Sequence, residues 1–329
     1  MSAFLQFTRT GKPLDVLELS TRELPSLQGH EVRVAMRYAP INPADLNFIE
    51  GNYGRVPSPP TIPGHEGSGQ VIEIGPQVES LAVGDLVIPL LGVGCWVEHL
   101  TALEHEFAKL PDKIDMVQAA MLRVNPITAW CILHEFVDLE KGDWVAQNAA
   151  NSGVGRALIQ ISKRLGFRTL NFVRRPELID ELKALGADEV FLDSPEGVAQ
   201  ARTITQGRAP RLASNAVGGE SAIRIMDVLA QGGTLVTYGA MSRASLKVPN
   251  KFMIFKDLSL RGLWVSKWHE KATHAELYQV MHPLAEMIRD GELTMAVDEI
   301  IPLKDFKTAI ARAQAEGRTG KIILDLASV

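Results

Sequence analysis

The residues best suited to chemistry in this chain form a turn of small side chains, at the centre of the stretch WVAQNAANSGVGRALIQISKRLG, residues 144–166. The apolar run before the turn is rich in strand-forming residues, and the run after it has the 3.6-residue spacing of an amphipathic helix. Between Asn148 and Gly155 only Val154 carries bulk. Backbone N–H groups at the start of the helix can therefore approach an anion closely, and the helix dipole favours negative charge there. The pattern predicts a site for the pyrophosphate of a dinucleotide.

The turn alone is a modest signal. It keeps only Gly153 and Gly155 of the three glycines in the dinucleotide fingerprint G-x-G-x-x-G. Asn151 and Ser152 stand where a glycine is expected. An ordinary turn between a strand and a helix is the alternative interpretation.

Two arginines indicate which dinucleotide would bind. In such a unit an acidic residue about 20 positions beyond the glycines holds the adenosine ribose 2′-hydroxyl of NAD. This chain has Arg174 and Arg175 there instead. Guanidinium groups can hold a 2′-phosphate through charge-assisted hydrogen bonds, so we predict NADPH. Arginines that merely cap a solvated strand end are the alternative, and Glu177 lies close enough to weaken the assignment.

The elements that position this turn alternate in type beyond Pro126, a pattern typical of a doubly wound parallel sheet in an α/β protein. The predicted elements are a helix over 128–137, the strand and helix of the turn, strands over 167–175, 187–193, 212–219 and 234–240, and helices over 176–185, 198–205 and 221–231. Residues 252–256 and 258–265 are predicted to continue the sheet. A helix over 272–289, a strand from 300, a helix over 303–315 and a strand over 321–329 complete the chain, the last returning to the first domain.

The part of the chain from residue 4 to residue 126 consists of short apolar segments separated by turn residues. Apolar residues alternate at Val32, Val34 and Met36, which predicts strands of an irregular, twisted β domain. A loop rich in proline and glycine, residues 41–67, is longer than a connector in a compact domain needs. Loops of this length are often functional.

Composition limits the classes of function. A chain of 329 residues with 46% hydrophobic residues supports two domains, and a net charge of −5 without a basic run argues against nucleic acid or an anionic membrane as partner. Two cysteines exclude a disulfide framework and indicate a reducing compartment. The apolar region 86–97 is too short to span a bilayer, and the first residues lack the features of a targeting peptide. We predict a soluble cytoplasmic protein.

Several stretches together resemble one known family. Residues 64–78, GHEGSGQVIEIGPQV, fit the signature G-H-E-x2-G-x5-G-x2-V of the medium-chain dehydrogenase/reductase superfamily. Within that superfamily the chain is similar, from about residue 5 to residue 325, to the trans-2-enoyl-CoA and enoyl-ACP reductases, which are 2-enoyl thioester reductases. The stretches that carry this similarity are INPADLNFIEGNYG, VNPITAW, QNAANSGVG, NFVRRPE, NAVGG, TLVTYGAM and FKDLSLRGLWVSKW.

The resemblance implies a Rossmann domain over residues 125–266 that binds NADPH. It also implies a GroES-like, mostly β catalytic domain formed by residues 1–124 and completed by 267–329. The expected assembly is a homodimer. The expected reaction is reduction of the C2–C3 double bond of an enoyl thioester of CoA or acyl carrier protein in fatty acid metabolism, with hydride going to C3 and a proton to C2.

The resemblance also implies roles for individual residues. Tyr53, in GNYG, matches the family's proton-donor tyrosine, and we expect Trp264 in the active site. The residues that match contacts to or near NADPH are Asn125, Asn151, Ser152, Gly153, Val154, Arg174, Arg175, Tyr238, Gly239, Ala240, Met241, Leu263, Trp264, Val265 and Lys321. The family's R-D-R segment is shortened here, so which arginine holds the phosphate stays open.

His65 matches a zinc ligand of the zinc-dependent branch of the superfamily, whereas the mitochondrial thioester reductases commonly have asparagine there. A catalytic zinc needs three protein ligands, and in that branch two are thiolates. Asn42 occupies the position of the first thiolate, and no cysteine lies near Asn125, where the second is expected. We therefore expect no metal, and a hydrogen-bonded His65 that packs the loop. Cys95 and Cys131 are interpreted as small buried residues.

Two other functions stay open from the sequence. A zinc-free NADPH:quinone or enone oxidoreductase shares INPADL and the nucleotide fold, although GNYG and GLWVSKW argue against it. A protein that binds NADPH without catalysis is the other, and the tyrosine loop argues against that.

Overall fold

The computed structural model describes residues 1–205 and 207–327. It divides into two compact units, Met1–Val124 with Thr273–Val329 as unit 1 and Asn125–Ala272 as unit 2. The boundary placed after residue 266 from the sequence falls inside a helix, Val265–Lys271. The structural division comes instead where that helix ends and Thr273 caps the next one.

Unit 1 begins with short strands and helices. In chain order they are β1 (Ser2–Phe7), α1 (Pro13–Val16), β2 (Leu17–Arg22), β3 (Glu31–Pro40), α2 (Pro43–Glu50), β4 (Ser68–Ile74), β5 (Leu86–Pro89), β6 (His99–Leu103), β7 (Phe107–Lys109) and α3 (Met116–Ala119). The alternating residues Val32, Val34 and Met36 are fully buried on one face of β3, which confirms the predicted strand.

Unit 2 follows and consists of strands alternating with helices. Its elements are α4 (Asn125–His134), β8 (Trp144–Gln147), α5 (Gly153–Leu165), β9 (Arg168–Val173), α6 (Leu178–Leu185), β10 (Glu189–Leu192), α7 (Pro195–Ile204), β11 (Leu212–Asn215), α8 (Gly219–Val228), β12 (Thr234–Thr237), α9 (Asn250–Ile254), β13 (Ser259–Gly262) and α10 (Val265–Lys271).

The chain then returns to unit 1 with α11 (His274–Arg289), β14 (Val297–Pro302), α12 (Phe306–Gln314) and β15 (Lys321–Asp325). In the described residues, the main sheet of unit 1 has the order β14-β15-β3-β4-β5-β7, and β6 also pairs with β3. Its pairs are antiparallel except β14 with β15. Because β15 pairs with β3, Leu324 lies opposite Ala39. Ser328 and Val329, the end of the predicted last strand, lie outside the described residues.

The described strands of unit 2 form one parallel sheet in the order β10-β9-β8-β11-β12-β13. Numbered from β8, this is the order 3-2-1-4-5-6 of a doubly wound nucleotide-binding fold. The predicted α/β class with a Rossmann sheet is confirmed. The strand order reverses between β8 and β11, and ligands of such sheets bind outside the carboxyl ends of the strands at that point.

One segment that was predicted to continue the sheet is a helix instead. Residues 252–256 do not continue the sheet, because α9 occupies Asn250–Ile254. Phe252 packs into the core of unit 2, and the ammonium of Lys256 donates hydrogen bonds to the carbonyls of Met226, Asp227 and Leu229. A tertiary contact to the end of α8 therefore overrides the apolar pattern of this segment.

The long loop over residues 41–67 contains a helix that the sequence reading did not predict. α2 begins after Asn42 with Pro43 in its first position, and the Asp45 side chain closes a capping box with Asn42. Gly51 ends the helix in the left-handed region, at φ 78°. Across the described residues, no helix combines the length and the apolar character needed to cross a membrane.

Candidate active site

The turn after β8 has the geometry of an anion cradle. Ser152 caps α5, and its hydroxyl accepts a hydrogen bond from the Gly155 N–H at 3.1 Å. The first N–H groups of a helix have no acceptor within the helix, so this end of α5 can bind a phosphate. Ala149 lies in the left-handed region at φ 48°, which bends the chain sharply between strand and helix.

Both glycines of the turn lie close to neighbouring atoms, Gly155 more closely than Gly153. A Cβ on Gly155 would lie 2.5 Å from the Ala150 carbonyl oxygen, inside any van der Waals contact. A Cβ on Gly153 would lie 3.0 Å from the Asn125 side chain. At both positions the lack of a side chain lets the start of α5 lie close to its neighbours.

Asn148 joins the two strands between which the sheet order reverses. Its Nδ2 donates to Asn215 Oδ1 at 2.8 Å and to Ser221 Oγ at 2.9 Å, and its Oδ1 accepts from the Ala216 N–H at 2.8 Å. Asn215 Oδ1 also accepts from the Gly218 N–H at 3.0 Å. This buried network fixes the carboxyl ends of β8 and β11, and with them the floor of the cradle.

Asn125 supplies a buried donor that fits a ligand. Its side chain lies against Gly153, and its Nδ2 makes no hydrogen bond within residues 1–205 and 207–327. Buried amide donors are nearly always paired in folded proteins. An acceptor-rich group bound at the start of α5 would satisfy it, so the residues present fit the pyrophosphate or amide groups of a dinucleotide.

The two arginines follow β9 directly. Arg174 is exposed and Arg175 half-buried, and the Arg175 guanidinium lies 3.6 Å from the Glu177 carboxylate. Since β9 is the neighbour of β8 in the sheet, both arginines lie at the edge from which the turn emerges.

The remaining predicted contacts of unit 2 lie at the same edge. The segments after β12 and β13 run side by side, and the Leu263 N–H donates to the Thr237 carbonyl at 3.0 Å. Burial raises the pKa of Tyr238 to about 12, opposed by a contact with Ser152. Trp264 precedes α10 as its N-terminal cap and is half-buried. The carboxyl edge of unit 2 is the edge of its parallel sheet at which the strands end. The residues that lie at this edge with the turn are Tyr238, Gly239, Ala240, Met241, Leu263, Trp264 and Val265.

Within unit 1, Tyr53 lies just beyond α2 and is half-buried. Its ring packs edge-to-face on His65, with ring centroids 5.3 Å apart and an interplanar angle of 73°. His65 Nδ1 lies 2.5 Å from Asp45 Oδ1, and the His65 N–H donates to the same oxygen at 2.9 Å. Tyr53 thus lies against a histidine whose ring and backbone are both held by one carboxylate.

A second buried carboxylate, Glu66, is the next residue in the chain. It accepts hydrogen bonds from Asn42 Nδ2 and from the Val124 N–H, both at 2.8 Å. Burial raises the pKa of Glu66 to about 7, against these hydrogen bonds and the attraction of Lys321. At neutral pH this carboxyl group is therefore partly protonated.

Lys321, expected to reach NADPH, begins β15 and is half-buried in unit 1. Its ammonium donates to Asn42 Oδ1, which uses one of its three N–H donors. Burial lowers the pKa of Lys321, and the carboxylates of Glu66 and Asp45 oppose that effect. The lysine and the two acids therefore compensate one another's charge in the interior of unit 1.

Arg123 adds a further buried cation. Its guanidinium donates to the His65 carbonyl at 3.3 Å and to the Leu90 carbonyl at 3.0 Å. Burial lowers its pKa, although an arginine remains charged at any physiological pH. Arg123 fixes the backbone of the segment that carries His65 and Glu66.

The residues around His65 do not fit a zinc ion. The Asn42 side chain is already bonded to Glu66 and Lys321, and the Asp45 carboxylate holds the His65 ring. Burial raises the pKa of the Cys95 thiol to about 12, which keeps it protonated. Among the described residues, no three histidine, cysteine or acidic side chains are grouped to bind a metal.

Four residues of this site were not among the sequence predictions: Asp45, Glu66, Arg123 and Asn148. Asp45 had a local signal, since Asn-Pro-x-Asp is a capping pattern with proline at the first helical position. Glu66 belongs to the G-H-E signature, but nothing in the sequence around it indicates that its side chain is buried. The partners of Arg123 and Asn148 lie 33 to 73 residues away in the chain, so no local pattern identifies them.

Two family models match the chain. The alcohol dehydrogenase GroES-like domain matches residues 28–112, and the zinc-binding dehydrogenase model matches residues 153–283. The first lies in unit 1 and the second mostly in unit 2. The predicted combination of a GroES-like and a Rossmann domain is confirmed.

The human mitochondrial enoyl-[acyl-carrier-protein] reductase is 41% identical to the chain, over 98% of the chain and 88% of the human protein. The chain belongs to the 2-enoyl thioester reductase family. It is an NADPH-dependent oxidoreductase of the medium-chain superfamily, as the sequence predicted. The rat member of the family is 42% identical over 93% of the chain and 84% of the rat protein.

Solved structures of the family share the fold. A mitochondrial 2-enoyl thioester reductase heterodimer from Candida tropicalis matches with a TM-score of 0.91 and 29% identity, over 98% of this chain and 99% of that one. A quinone oxidoreductase from Pseudomonas syringae matches with a TM-score of 0.85 and 26% identity, over 99% and 100% of the two chains. The fold is thus common to both reductase activities.

The prediction of a cytoplasmic protein is wrong by comparison with the family. The human and rat relatives are mitochondrial enzymes. Cysteine content separates reducing from oxidising compartments, and it carries no information on which reducing compartment holds the protein.

The buried Glu66 leads to a prediction on pH and stability. Its folded-state pKa of about 7 exceeds the ordinary 4.5. The folded protein therefore keeps a proton that the unfolded chain releases, and stability present below pH 4.5 is lost as the pH rises to about 7, on the order of 3 kcal/mol. We expect Glu66→Gln to remove this loss. The free energy of unfolding of the variant, measured in urea, should therefore rise relative to that of the parent between pH 5 and pH 8.

Glu23, an exposed glutamate of unit 1, serves as the control, and Glu23→Gln is expected to follow the parent at each pH. A difference between Glu66→Gln and the parent that does not change with pH would contradict the assignment.

Proposed function

We propose that Tyr53 is the proton donor in the family's reaction, the NADPH-dependent reduction of the C2–C3 double bond of an enoyl thioester. The observation that carries this proposal is the packing of Tyr53 on the fixed ring of His65 in a chain of this family. A tyrosine hydroxyl can donate a hydrogen bond or a proton.

The chemistry that NADPH supplies when bound is hydride transfer to C3, which leaves negative charge on C2 and the thioester oxygen. The Tyr53 hydroxyl donates a hydrogen bond to this charge or its proton to C2. General acids of this kind typically contribute ~10²–10⁴-fold. Unit 1 is the catalytic domain in this proposal, and unit 2 holds the cofactor.

We assign cofactor binding to the carboxyl edge of unit 2. The free donor of Asn125 and the capped start of α5 support a pyrophosphate site there. The further proposed contacts are Asn151, Ser152, Gly153, Val154, Tyr238, Gly239, Ala240, Met241, Leu263, Trp264 and Val265, with Trp264 also facing the substrate. Lys321 is a further proposed contact.

The substrate carrier is CoA or acyl carrier protein. The human relative is named for reduction of the enoyl-acyl-carrier-protein thioester. A solved structure of a protein named Etr1p, which matches this chain at 28% identity with a TM-score of 0.91, contains NADP and crotonyl-CoA. Both carriers present the acyl group as a thioester, so the proposed proton transfer is the same for either.

Tyr53→Phe tests the proposed donor. We expect kcat on crotonyl-CoA to fall at least tenfold, because general acid catalysis is lost, while the Kd for NADPH stays within twofold of the parent. Tyr278→Phe is the matched control, since Tyr278 is an exposed tyrosine of the same unit, and it should keep full activity. Full activity of Tyr53→Phe would remove Tyr53 from the mechanism.

For the 2′-phosphate we propose Arg174 as the main contact. The Arg175 guanidinium lies 3.6 Å from the Glu177 carboxylate, which competes with an incoming phosphate. We expect Arg174→Ala to raise the KM for NADPH about tenfold and to leave the KM for NADH unchanged, since NADH has no 2′-phosphate. Arg175→Ala should have the smaller effect, and the reverse order would assign the contact to Arg175.

A quinone or enone reductase is the second candidate, favoured by the fold shared with the Pseudomonas syringae enzyme. NADPH oxidation with crotonyl-CoA, a simple quinone and a simple enone, each at matched concentration, separates the candidates. Turnover confined to the quinone or enone would overturn the thioester assignment. NADPH binding without oxidation by any acceptor would indicate a non-catalytic protein.

We also propose that the protein is a homodimer joined through β13. This strand lies at the end of the parallel sheet, and its residues are largely exposed. Just before it in the chain, Ile254 and Phe255 are 68% and 75% exposed. An unpaired strand edge beside exposed apolar side chains is a surface that a second copy can cover.

Replacing both Ile254 and Phe255 with Glu tests the dimer. We expect the variant to elute as a monomer in size-exclusion chromatography with light scattering, because the charges would be buried without partners. Val83→Glu is the control, as Val83 is 60% exposed in unit 1 and should not affect assembly. A parent protein that is monomeric at micromolar concentration would contradict the proposal.

A further inference from the structure

Asn42 joins a buried acid of unit 1 to a lysine through one side chain. Its Nδ2 donates to Glu66 Oε1 at 2.8 Å, and its Oδ1 accepts from the Lys321 ammonium. The second oxygen of Glu66 accepts from the Val124 N–H at 2.8 Å. Asn42 is only 2% exposed and Glu66 only 1%, so both side chains depend on these hydrogen bonds rather than on water.

The chemistry of the two neighbours fixes the direction of the Asn42 amide. An ammonium group has three donors and no acceptor, so only the amide oxygen can face Lys321. The amide donor then faces Glu66, where a carboxylate oxygen accepts it. The other Glu66 oxygen faces the N–H of Val124, a backbone group that cannot turn. With Glu66 ionised, this arrangement satisfies both ends of the amide and both oxygens of the acid.

The backbone brings Lys321 to Asn42 independently of their side chains. The Ile41 N–H donates to the Ile322 carbonyl at 2.9 Å, so the residue before Asn42 is bonded to the residue after Lys321. The main chain therefore fixes where the lysine side chain starts. The ammonium lies at the end of a flexible four-carbon stem and has many positions open to it. The hydrogen bond to the Asn42 oxygen selects one of them.

We propose that Asn42 and Glu66 are positioning residues for Lys321: Glu66 sets the direction of the Asn42 amide, and the amide oxygen holds the ammonium for its contact with NADPH. The proposal rests on that contact, which is part of the proposed function, and extends it by stating what orients the lysine. The bond to Asn42 leaves two N–H donors of the ammonium for a ligand. A long side chain that is ordered in advance loses less rotamer entropy on binding.

The charges around the lysine support the same arrangement. Glu66, Asp45 and Arg318 act on the Lys321 ammonium, and the two acids favour its protonated form. The Asp45 oxygens already accept from two backbone N–H groups and lie against the His65 ring. Glu66 is thus the acid whose hydrogen bond is transmitted to the lysine.

Glu66→Gln tests the direction of the amide. The oxygen of the new side chain has to accept from the Val124 N–H, which leaves an amide donor facing Asn42. Asn42 would then turn its oxygen towards that donor and its own donor towards Lys321, which has no acceptor. We expect the Kd for NADPH, measured by fluorescence titration, to rise about tenfold, because the lysine loses its anchor. The kcat on crotonyl-CoA at saturating NADPH should change by less than about twofold.

The decisive variant exchanges the two groups. Asn42→Asp combined with Glu66→Gln places the donor on residue 66 and the acceptor on residue 42, so both hydrogen bonds and the net charge are restored. Asn42 is also the N-cap of α2, a position at which aspartate is as favourable as asparagine. We expect the Kd for NADPH to return to within about threefold of the parent. A Kd that stays as high as in Glu66→Gln, or rises further, would overturn the proposal.

Lys321→Ala separates the positioning role from the contact on which it rests. It should raise the Kd for NADPH about tenfold, and Glu66→Gln should add nothing in that background. If Lys321→Ala leaves the Kd unchanged, the contact is wrong, and the positioning role fails with it. If Lys321→Ala weakens binding and Glu66→Gln does not, only the positioning role fails. Losses that multiply in the double variant would also overturn it, because Glu66 would then act on something other than Lys321.

The matched controls are an asparagine and a lysine of unit 1 outside this network. Asn47 is exposed on α2, and Lys304 is exposed in the segment after β14. Asn47→Ala and Lys304→Ala should both keep the Kd of the parent. Because the readout is NADPH binding, the result does not depend on whether Tyr53 is the proton donor.

Discussion

The hydrogen bonds of the buried Asp45 carboxylate are the interaction on which the packing around His65 in unit 1 depends. The carboxylate is fully buried, and its two oxygens accept hydrogen bonds from the backbone of Asn42 and from the backbone and ring of His65. A buried carboxylate is tolerated only when its hydrogen bonds are complete, so its burial forces the start of α2 and the G-H-E segment together. That contact fixes the histidine against which Tyr53 packs.

The interior of unit 1 adds opposite charges around this centre. Glu66 and Lys321 both reach Asn42, one through its amide donor and the other through its amide oxygen. A single asparagine thus separates an acid with a raised pKa from a lysine with a lowered pKa. Such a network is specific because losing one member leaves another buried and unpaired. It also occupies the side chains that a metal would otherwise need.

Unit 2 places hydrogen-bond donors at one edge of its parallel sheet. Asn148 and Asn215 join β8 to β11, the two strands between which the strand order reverses. The loops that follow these two strands run to opposite sides of the sheet, which leaves a crevice between them. Gly153 and Gly155 bring the start of α5 close to Asn125 and to Ala150. The cradle is therefore rigid before any ligand arrives, which lowers the entropy lost on binding.

The sequence by itself determined the elements of unit 2, the cradle at its glycine turn, the arginines after the second strand and the family, because these depend on local periodicity and on motifs of neighbouring residues. It did not determine α9, where a tertiary contact of Lys256 overrides an apolar pattern, nor the burial of Glu66. The tertiary structure alone decided that Asp45 meets His65 and that Lys321, 279 residues along the chain from Asn42, reaches it. The Lys321 contact exists because β15 returns to pair with β3, so this part of the charge network forms only once the chain has closed.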